Sequence, residues 1–236
     1  MMRMMKMELV LFRRYLKHLT LTTAFLAVCL SIGMGSTMGI PGIVFMLTMF
    51  TLTTVSNVYD DQNGWAAYRL STPVSRRDVV LGRYAFVVAV SILYALVIAV
   101  LAISIGLASE FITLPEPISS IVRLDAERIG SGLLTLILCG MIAVLSTSIC
   151  MPVFFRFGAT KATQWLPLIM MLLGVAPFLA IGLAGEGAMV PMRGALEYLE
   201  TLSGMGAFRA VSLAISAACF VASCMVSVGI YRGRDL

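Results

Sequence analysis

The sequence predicts an all-α membrane protein that crosses the bilayer six times, and its composition and hydropathy pattern carry that prediction. Of its 236 residues, 60% are hydrophobic and 12% are charged, whereas ordinary soluble domains carry roughly 25% charged residues. The apolar residues gather in six runs, each close to the roughly 20 residues that a helix needs to cross the hydrocarbon core. Barrel strands would alternate in polarity and be about half as long. A single membrane domain over residues 1–236 is therefore expected.

The first 18 residues, MMRMMKMELVLFRRYLKH, predict a basic amphipathic helix at the inner face of the membrane. Leu9, Phe12 and Leu16 recur at helical spacing among basic side chains. Buried apolar area and attraction to anionic lipid would hold such a helix at the interface. The alternative is a short positive flank that only sets the orientation of the first span.

The apolar runs that follow are read as transmembrane helices. In order, the predicted spans are 19–35, 40–58, 84–107, 133–154, 165–183 and 210–230. Pro41 falls in the first turn of the second span, where its missing N–H group has no helical partner to lose. No ionisable residue lies in the middle of a predicted span, which argues against a proton relay or an ion-coupled carrier.

The distribution of charge predicts the orientation. With the N-terminus inside, thirteen of the 17 Lys and Arg residues fall in inner segments, and seven of the 12 Asp and Glu residues fall outside. Both termini are therefore predicted in the cytoplasm. The net charge of +5 does not indicate a nucleic-acid partner, because the basic residues flank apolar spans and do not form one polar face.

Two longer connections, 109–130 and 184–208, are predicted on the outer side. The first contains a short surface helix that starts near Ser119 or Ser120. The second is too polar to span but rich in apolar side chains, so we expect one or two short helices that dip into the membrane before the sixth span. Such backbone is stable at that depth only where protein or a water-filled cavity covers it.

The long polar segment 59–83 separates the second and third spans and is predicted to lie in the cytoplasm. Residues 60–64, DDQNG, predict a turn. Residues 65–70, WAAYRL, predict a short amphipathic helix that Pro73 ends. Ser75 is a candidate N-cap for the helix that continues into the third span. A force on the short helix would therefore pass into the spans on both sides.

The chain lacks the motifs of an enzyme or a metal site. FGATKAT at 157–163 does not have the spacing of a phosphate-binding loop, so ATP hydrolysis in this chain is not expected. The single histidine is His18, and the five cysteines lie in apolar runs without CxxC spacing. We therefore predict no catalytic, cofactor-binding or metal-binding residue in this chain.

The polar segment carries a family motif. The pattern D-x-x-x-W-x-x-Y-x-x-S-x-P-V-S-R, followed by V-V-x-x-R-Y, resembles the segment after the second span in small permeases of ATP-binding-cassette (ABC) type-2 exporters. The matching positions are Asp61, Trp65, Tyr68, Ser71, Pro73, Val74, Ser75, Arg76, Val79, Val80, Arg83 and Tyr84. The rest of the chain resembles these permeases in its layout of interfacial helix, spans and loops.

The resemblance implies a membrane subunit of an exporter that moves an apolar or amphipathic substrate, such as a peptide, a lipid or a drug. It implies that 59–83 contains a coupling helix that docks on a separate ATPase subunit, itself a dimer, which holds the ATP and Mg²⁺. A second permease copy or a paralogue would complete the substrate path in the cytoplasmic membrane of a prokaryote. The candidate ATPase contacts are Asp61, Trp65, Tyr68, Arg69, Pro73, Ser75, Arg76, Arg77 and Asp78.

Two alternatives stay open at this point. The chain could be a membrane sensor or immunity protein that binds a toxic peptide without pumping it. The segment after the second span could also be only an interfacial loop with aromatic anchors.

Overall fold

The computed structural model describes residues 2–63, 75–109, 118–122, 125–158, 162–163 and 202–233. Over these residues it is helical and contains no strand, which confirms the all-α prediction there. The helices are α1 (Met2–Leu11), α2 (Arg13–Met34), α3 (Ile40–Asn63), α4 (Arg76–Ser109), α5 (Ile118–Val122), α6 (Ala126–Phe157) and α7 (Leu202–Arg232).

Five of the described helices, α2, α3, α4, α6 and α7, are long and apolar enough to cross a membrane. They correspond to the first, second, third, fourth and sixth predicted spans. The fifth predicted span, 165–183, lies outside the described residues, as does 184–201 of the second outer connection. The count of six spans therefore stays a prediction, as does the single domain over the whole chain.

Each of these helices extends beyond the apolar run that predicted it. Hydropathy marks the part of a helix that lies in hydrocarbon, whereas backbone hydrogen bonding continues into the polar interface. The extension corrects four expectations. Residues 13–18 of the predicted interfacial helix are the start of α2, and residues 60–63 are the last turn of α3 and not a turn between elements. Residues 126–130 and 202–208 of the predicted outer connections are the starts of α6 and α7.

The helix ends follow from local sequence. Gly35 ends α2 with φ of 62°, a left-handed conformation that glycine adopts at little cost. Ser75 precedes α4, and its hydroxyl accepts a hydrogen bond from the Asp78 backbone N–H at 3.1 Å. The N-cap prediction for Ser75 is therefore confirmed. A short helix is also present where one was predicted, because α5 starts one residue before Ser119. Its place on the outer side of the membrane stays a prediction.

Helices α3, α4, α6 and α7 pack together as the bundle. Its main core contains Met49 and Leu52 from α3, Phe86 from α4 and Met151 from α6, all buried. Helices α3 and α6 approach closely at Gly42. A Cβ atom at that position would lie only 2.7 Å from the Cα atom of Leu136. Only glycine fits at so short a distance between helix backbones.

The outward faces of the long helices, including α2, carry exposed apolar side chains. On α2, Leu21, Phe25, Val28 and Ile32 are all more than 60% exposed within this single chain. Large exposed aliphatic and aromatic side chains in a continuous row fit a lipid or protein environment and not water. The chain is accordingly a multi-pass membrane protein.

Helix α1 packs on the bundle through a face that differs from the predicted one. Met4, Glu8 and Phe12, which recur every fourth residue, are buried, whereas Leu9 is 45% exposed. Phe12 and Leu16 contact the protein core, whereas the prediction placed them with Leu9 on a side that faces lipid. Leu9 is exposed within the single chain, so its contact with lipid stays a prediction.

Candidate functional site

A buried ion cluster joins three helices at one end of the bundle. At its centre lies Arg83 of α4, which is 1% exposed. One guanidinium nitrogen, Nη1, donates to Oδ1 of Asn57 at 3.0 Å. The other, Nη2, donates to Oε1 of Glu8 at 3.0 Å and to Oδ2 of Asp60. The cluster therefore ties α1 and the last turns of α3 to the first turns of α4.

The local sequence brings these groups together in a simple way. Asn57 and Asp60 lie about one turn apart on α3, so both side chains reach the same side of that helix. The Asn57 amide nitrogen also donates to the Thr53 backbone carbonyl at 2.7 Å, which fixes the orientation of its oxygen towards Arg83. Arg83 follows the buried pair Val79 and Val80 on the face of α4 that meets α3.

Three aromatic rings pack together next to residues of the cluster in sequence, and the cluster itself is buried. The Phe12 ring lies 5.3 Å from the Tyr59 ring and 5.8 Å from the Phe86 ring, measured between centroids. Phe12 directly follows the α1 helix that carries Glu8, and Tyr59 precedes Asp60. Exclusion of water strengthens the attraction between the opposite charges and makes the loss of one partner costly.

A second buried network joins α4 to α6 and α7. The Tyr84 hydroxyl forms hydrogen bonds with the hydroxyls of Ser223 and Ser227 at 2.7 and 2.9 Å. Ser223 also donates to the backbone carbonyl of Ser148 at 2.6 Å. Arg83 and Tyr84 are neighbours in sequence, so adjacent residues of α4 hold opposite sides of the bundle.

The first turn of α4 holds the last turn of α7. Nη1 of Arg76 donates to the backbone carbonyls of Arg232 and Tyr231 at 2.8 and 3.3 Å. A cation at a helix C-terminus satisfies carbonyls that lack a helical partner and interacts favourably with the helix dipole. Arg76 was predicted as an ATPase contact, which stays a prediction, whereas the structure shows its bonds to the end of α7.

The other predicted contact residues fall into two groups. Ser75 and Arg77 are exposed, and Asp78 is half-buried, with its carboxylate accepting a hydrogen bond from the Ser75 hydroxyl at 2.8 Å. Asp61 belongs to the last turn of α3. Trp65, Tyr68, Arg69 and Pro73 lie outside the described residues, so the predicted coupling helix stays a prediction.

Sequence reasoning missed Glu8, Asn57 and Asp60 as members of one cluster. Two signals pointed to them. Glu8 is the single acid among the first 18 residues, and Arg83 lies in the run VVLGRYAFVV, where a guanidinium needs an acidic partner. Neither signal shows that Arg83 pairs with Glu8 and Asp60, because α1, α3 and α4 are brought together only by the tertiary fold.

These helices define a multi-pass membrane protein with a buried ion cluster at one end of its bundle. The sequence matches the family model described as ABC-2 family transporter protein over residues 3–232. The chain therefore belongs to the ABC-2 transporter family, a family of membrane transport components that normally pair with an ABC ATPase subunit. This confirms the family that the motif after the second span predicted. Comparison with curated proteins and with solved structures gives no match.

Proposed function

We propose that this chain is the membrane permease subunit of an ABC exporter, driven by ATP hydrolysis on a partner ATPase dimer that holds the ATP and Mg²⁺. In this proposal both termini and residues 59–83 face the cytoplasm, and the bilayer is the cytoplasmic membrane of a prokaryote. The substrate is apolar or amphipathic. The observation that carries the proposal is the ion cluster around Arg83, which lies directly beside the segment expected to dock on the ATPase.

The cluster suits the transmission of force. Residues 64–74 join the end of α3 to the start of α4, and Asp60 and Arg83 tie those two helix ends together through a buried ion pair. A displacement of the intervening segment would therefore move α3 and α4 as one body. Glu8 would extend that movement to α1, and Arg76 would extend it to the end of α7.

Docking itself would use residues on both sides of the break at Pro73. Trp65 and Tyr68 supply large side chains that can fill a pocket, and such anchors dominate protein interfaces. Arg77 is exposed next to the N-terminus of α4 and can pair with an acidic group of the ATPase.

The exporter would work as a dimer of permeases, either of two copies or with a paralogue. The row of apolar side chains on α2 supports this part of the proposal, because α2 has one side on the bundle and leaves the other uncovered within the chain. A partner helix packed there would bury those side chains from lipid.

Copurification tests the ATPase partner. The protein is extracted from its native membrane in mild detergent and captured, and the bound chains are identified. We expect an ATPase with a phosphate-binding loop, and we expect Trp65→Ala combined with Arg77→Ala to release it while the permease stays folded in the membrane. Arg77 replaces Arg76 in this test because Arg76 also holds α7.

Arg128→Ala is the matched control, since Arg128 is predicted on the opposite side of the membrane and should leave the ATPase bound. Absence of an ATPase in the wild-type sample would contradict the permease proposal and favour the sensor or immunity alternative. An ATPase that stays bound to the double variant would contradict the proposed docking residues.

A further inference from the structure

A cavity of about 530 Å³ lies between α3, α4, α6 and α7, in the half of the bundle away from Arg83. Its volume falls within the roughly 300–1,000 Å³ of small-molecule sites. Pro41 and Phe45 line it from the start of α3, whereas Asn57 and Asp60 of the ion cluster lie at the end of that helix. The cavity is therefore a separate feature from the candidate site described above.

One face of α7 supplies the polar groups of the cavity. Arg209, Ser212 and Ser216 recur at positions i, i+3 and i+7, so they lie on one side of the helix. Arg209 is the fourth residue of the membrane-spanning stretch Gly206–Arg232. The sequence prediction placed Arg209 just outside the sixth span. Arg209 therefore lies near the end of that stretch, where a charge costs less than at the middle of a span, and its side chain lines the cavity.

Ser216 gives a second and independent indication of a ligand. Its side chain is 8% exposed, and its hydroxyl has no hydrogen-bond partner in the described part of the chain. Ser212 differs, because its hydroxyl donates to the Arg209 carbonyl at 3.0 Å. A buried hydroxyl without a partner needs a group that satisfies it, which a ligand or a water molecule in the cavity can supply.

The other described residues that line the cavity, on α3, α4 and α6, are apolar. Among the described residues that line it, Arg209 is the only charged one. Side chains such as Phe45, Ile92, Ala95 and Met141 offer contacts for a hydrocarbon chain but no hydrogen bond. One cation beside a long apolar wall matches a molecule with one anionic group and one apolar tail.

We propose that this cavity binds an amphiphile with a single anionic head group and an acyl-type chain. The head group pairs with Arg209, whose guanidinium has five N–H donors and can therefore hold a ligand oxygen in addition to any other acceptor. The chain lies along α4 and α6. The proposal adds a ligand class to the proposed permease and rests on it for the transport of that ligand, whereas binding itself needs no ATPase.

Photolabelling in nanodiscs of phosphatidylcholine tests the proposal. The probe is dodecyl phosphate with a diazirine at the chain end, and the labelled peptides are identified by mass spectrometry. We expect labels in the α4 and α6 segments that line the cavity. Unlabelled dodecyl phosphate should suppress the labelling, and dodecanol, which has the same chain without the charge, should not.

Two variants test separately whether binding needs the Arg209 charge and whether it needs the volume of the cavity. Arg209→Gln should weaken competition by dodecyl phosphate about tenfold or more, since it removes a hydrogen-bonded charge, and Arg209→Lys should restore part of the affinity. Gly140→Leu should abolish labelling, because Phe45, at 3.9 Å, is the one neighbour of a Cβ atom there among the described residues, and a larger side chain would occupy the cavity. Gly229→Leu is the matched control on an exposed face of α7.

The outcomes are distinct. Equal competition by dodecanol and dodecyl phosphate, or unchanged affinity in Arg209→Gln, would overturn the proposal. Nanodiscs with phosphatidylglycerol then show the source of the ligand, because suppression of the label by that lipid identifies the bilayer, and no suppression identifies a free amphiphile. Arg209→Gln should still copurify with the ATPase, so failure of this proposal is distinguishable from failure of the permease proposal.

Discussion

The two halves of the bundle use the same helices in different ways. In the half that contains Arg83, charged and polar side chains from α1, α3 and α4 meet in a buried network. In the other half, α3, α4, α6 and α7 surround an apolar cavity with Arg209 at its wall. The first arrangement fixes the relative positions of helices, and the second leaves space between them. In the proposed permease, the first arrangement would transmit force and the second would accommodate a ligand.

The largest effect is expected from a substitution that disrupts the ion cluster around Arg83. Arg83→Ala leaves the carboxylates of Glu8 and Asp60 buried without the guanidinium, which should cost about 3–5 kcal/mol of stability. Thermal unfolding of the purified protein in one detergent, followed by circular dichroism, measures the loss. Arg77→Ala is the control, because Arg77 is exposed and a surface substitution should change stability by no more than about 0.5 kcal/mol. Equal stability of the two variants would contradict the buried cluster.

A smaller effect is expected where the helices of the cavity half meet most closely. Gly42→Ala places a methyl group 2.7 Å from the Leu136 Cα atom, so α3 and α6 must separate at a cost of about 1–3 kcal/mol. Gly229→Ala has open space around its new methyl group and should be neutral or slightly stabilising, since alanine favours the helix over glycine. The same unfolding assay distinguishes the two. A stabilised Gly42→Ala variant would show that α3 and α6 do not approach as described.

The sequence predicted most of the architecture because hydropathy is a local signal. The runs that became α2, α3, α4, α6 and α7 were long enough to identify without any knowledge of packing. The cap at Ser75 was also predictable, since an N-cap depends on residues within one turn. The fifth span and the short helix after Asn63 lie outside the described residues and stay predictions.

Features that depend on tertiary contacts were missed or misplaced. The sequence DDQNG favoured a turn, yet α3 continues to Asn63 with Asp60 paired to Arg83. Glu8 has no local reason to be buried, and its partner is 75 residues away along the chain. Arg209 was assigned to a loop because the apolar run begins after it, whereas the helix begins earlier. In each case a long-range partner or a helix end outside the apolar run decided the outcome.

The central structural claim is that Arg83 ties α1 to α4 through Glu8, and a double-mutant cycle tests it most directly. Stability is measured for Glu8→Ala, Arg83→Ala and the double variant. We expect the stability loss of the double variant to be smaller than the sum of the two single losses by about 1–3 kcal/mol. The reason is that removing both partners leaves fewer buried charges unpaired. A parallel cycle of Arg83→Ala with Arg128→Ala should be additive. Additivity within about 0.5 kcal/mol in the Glu8 cycle would contradict the claim.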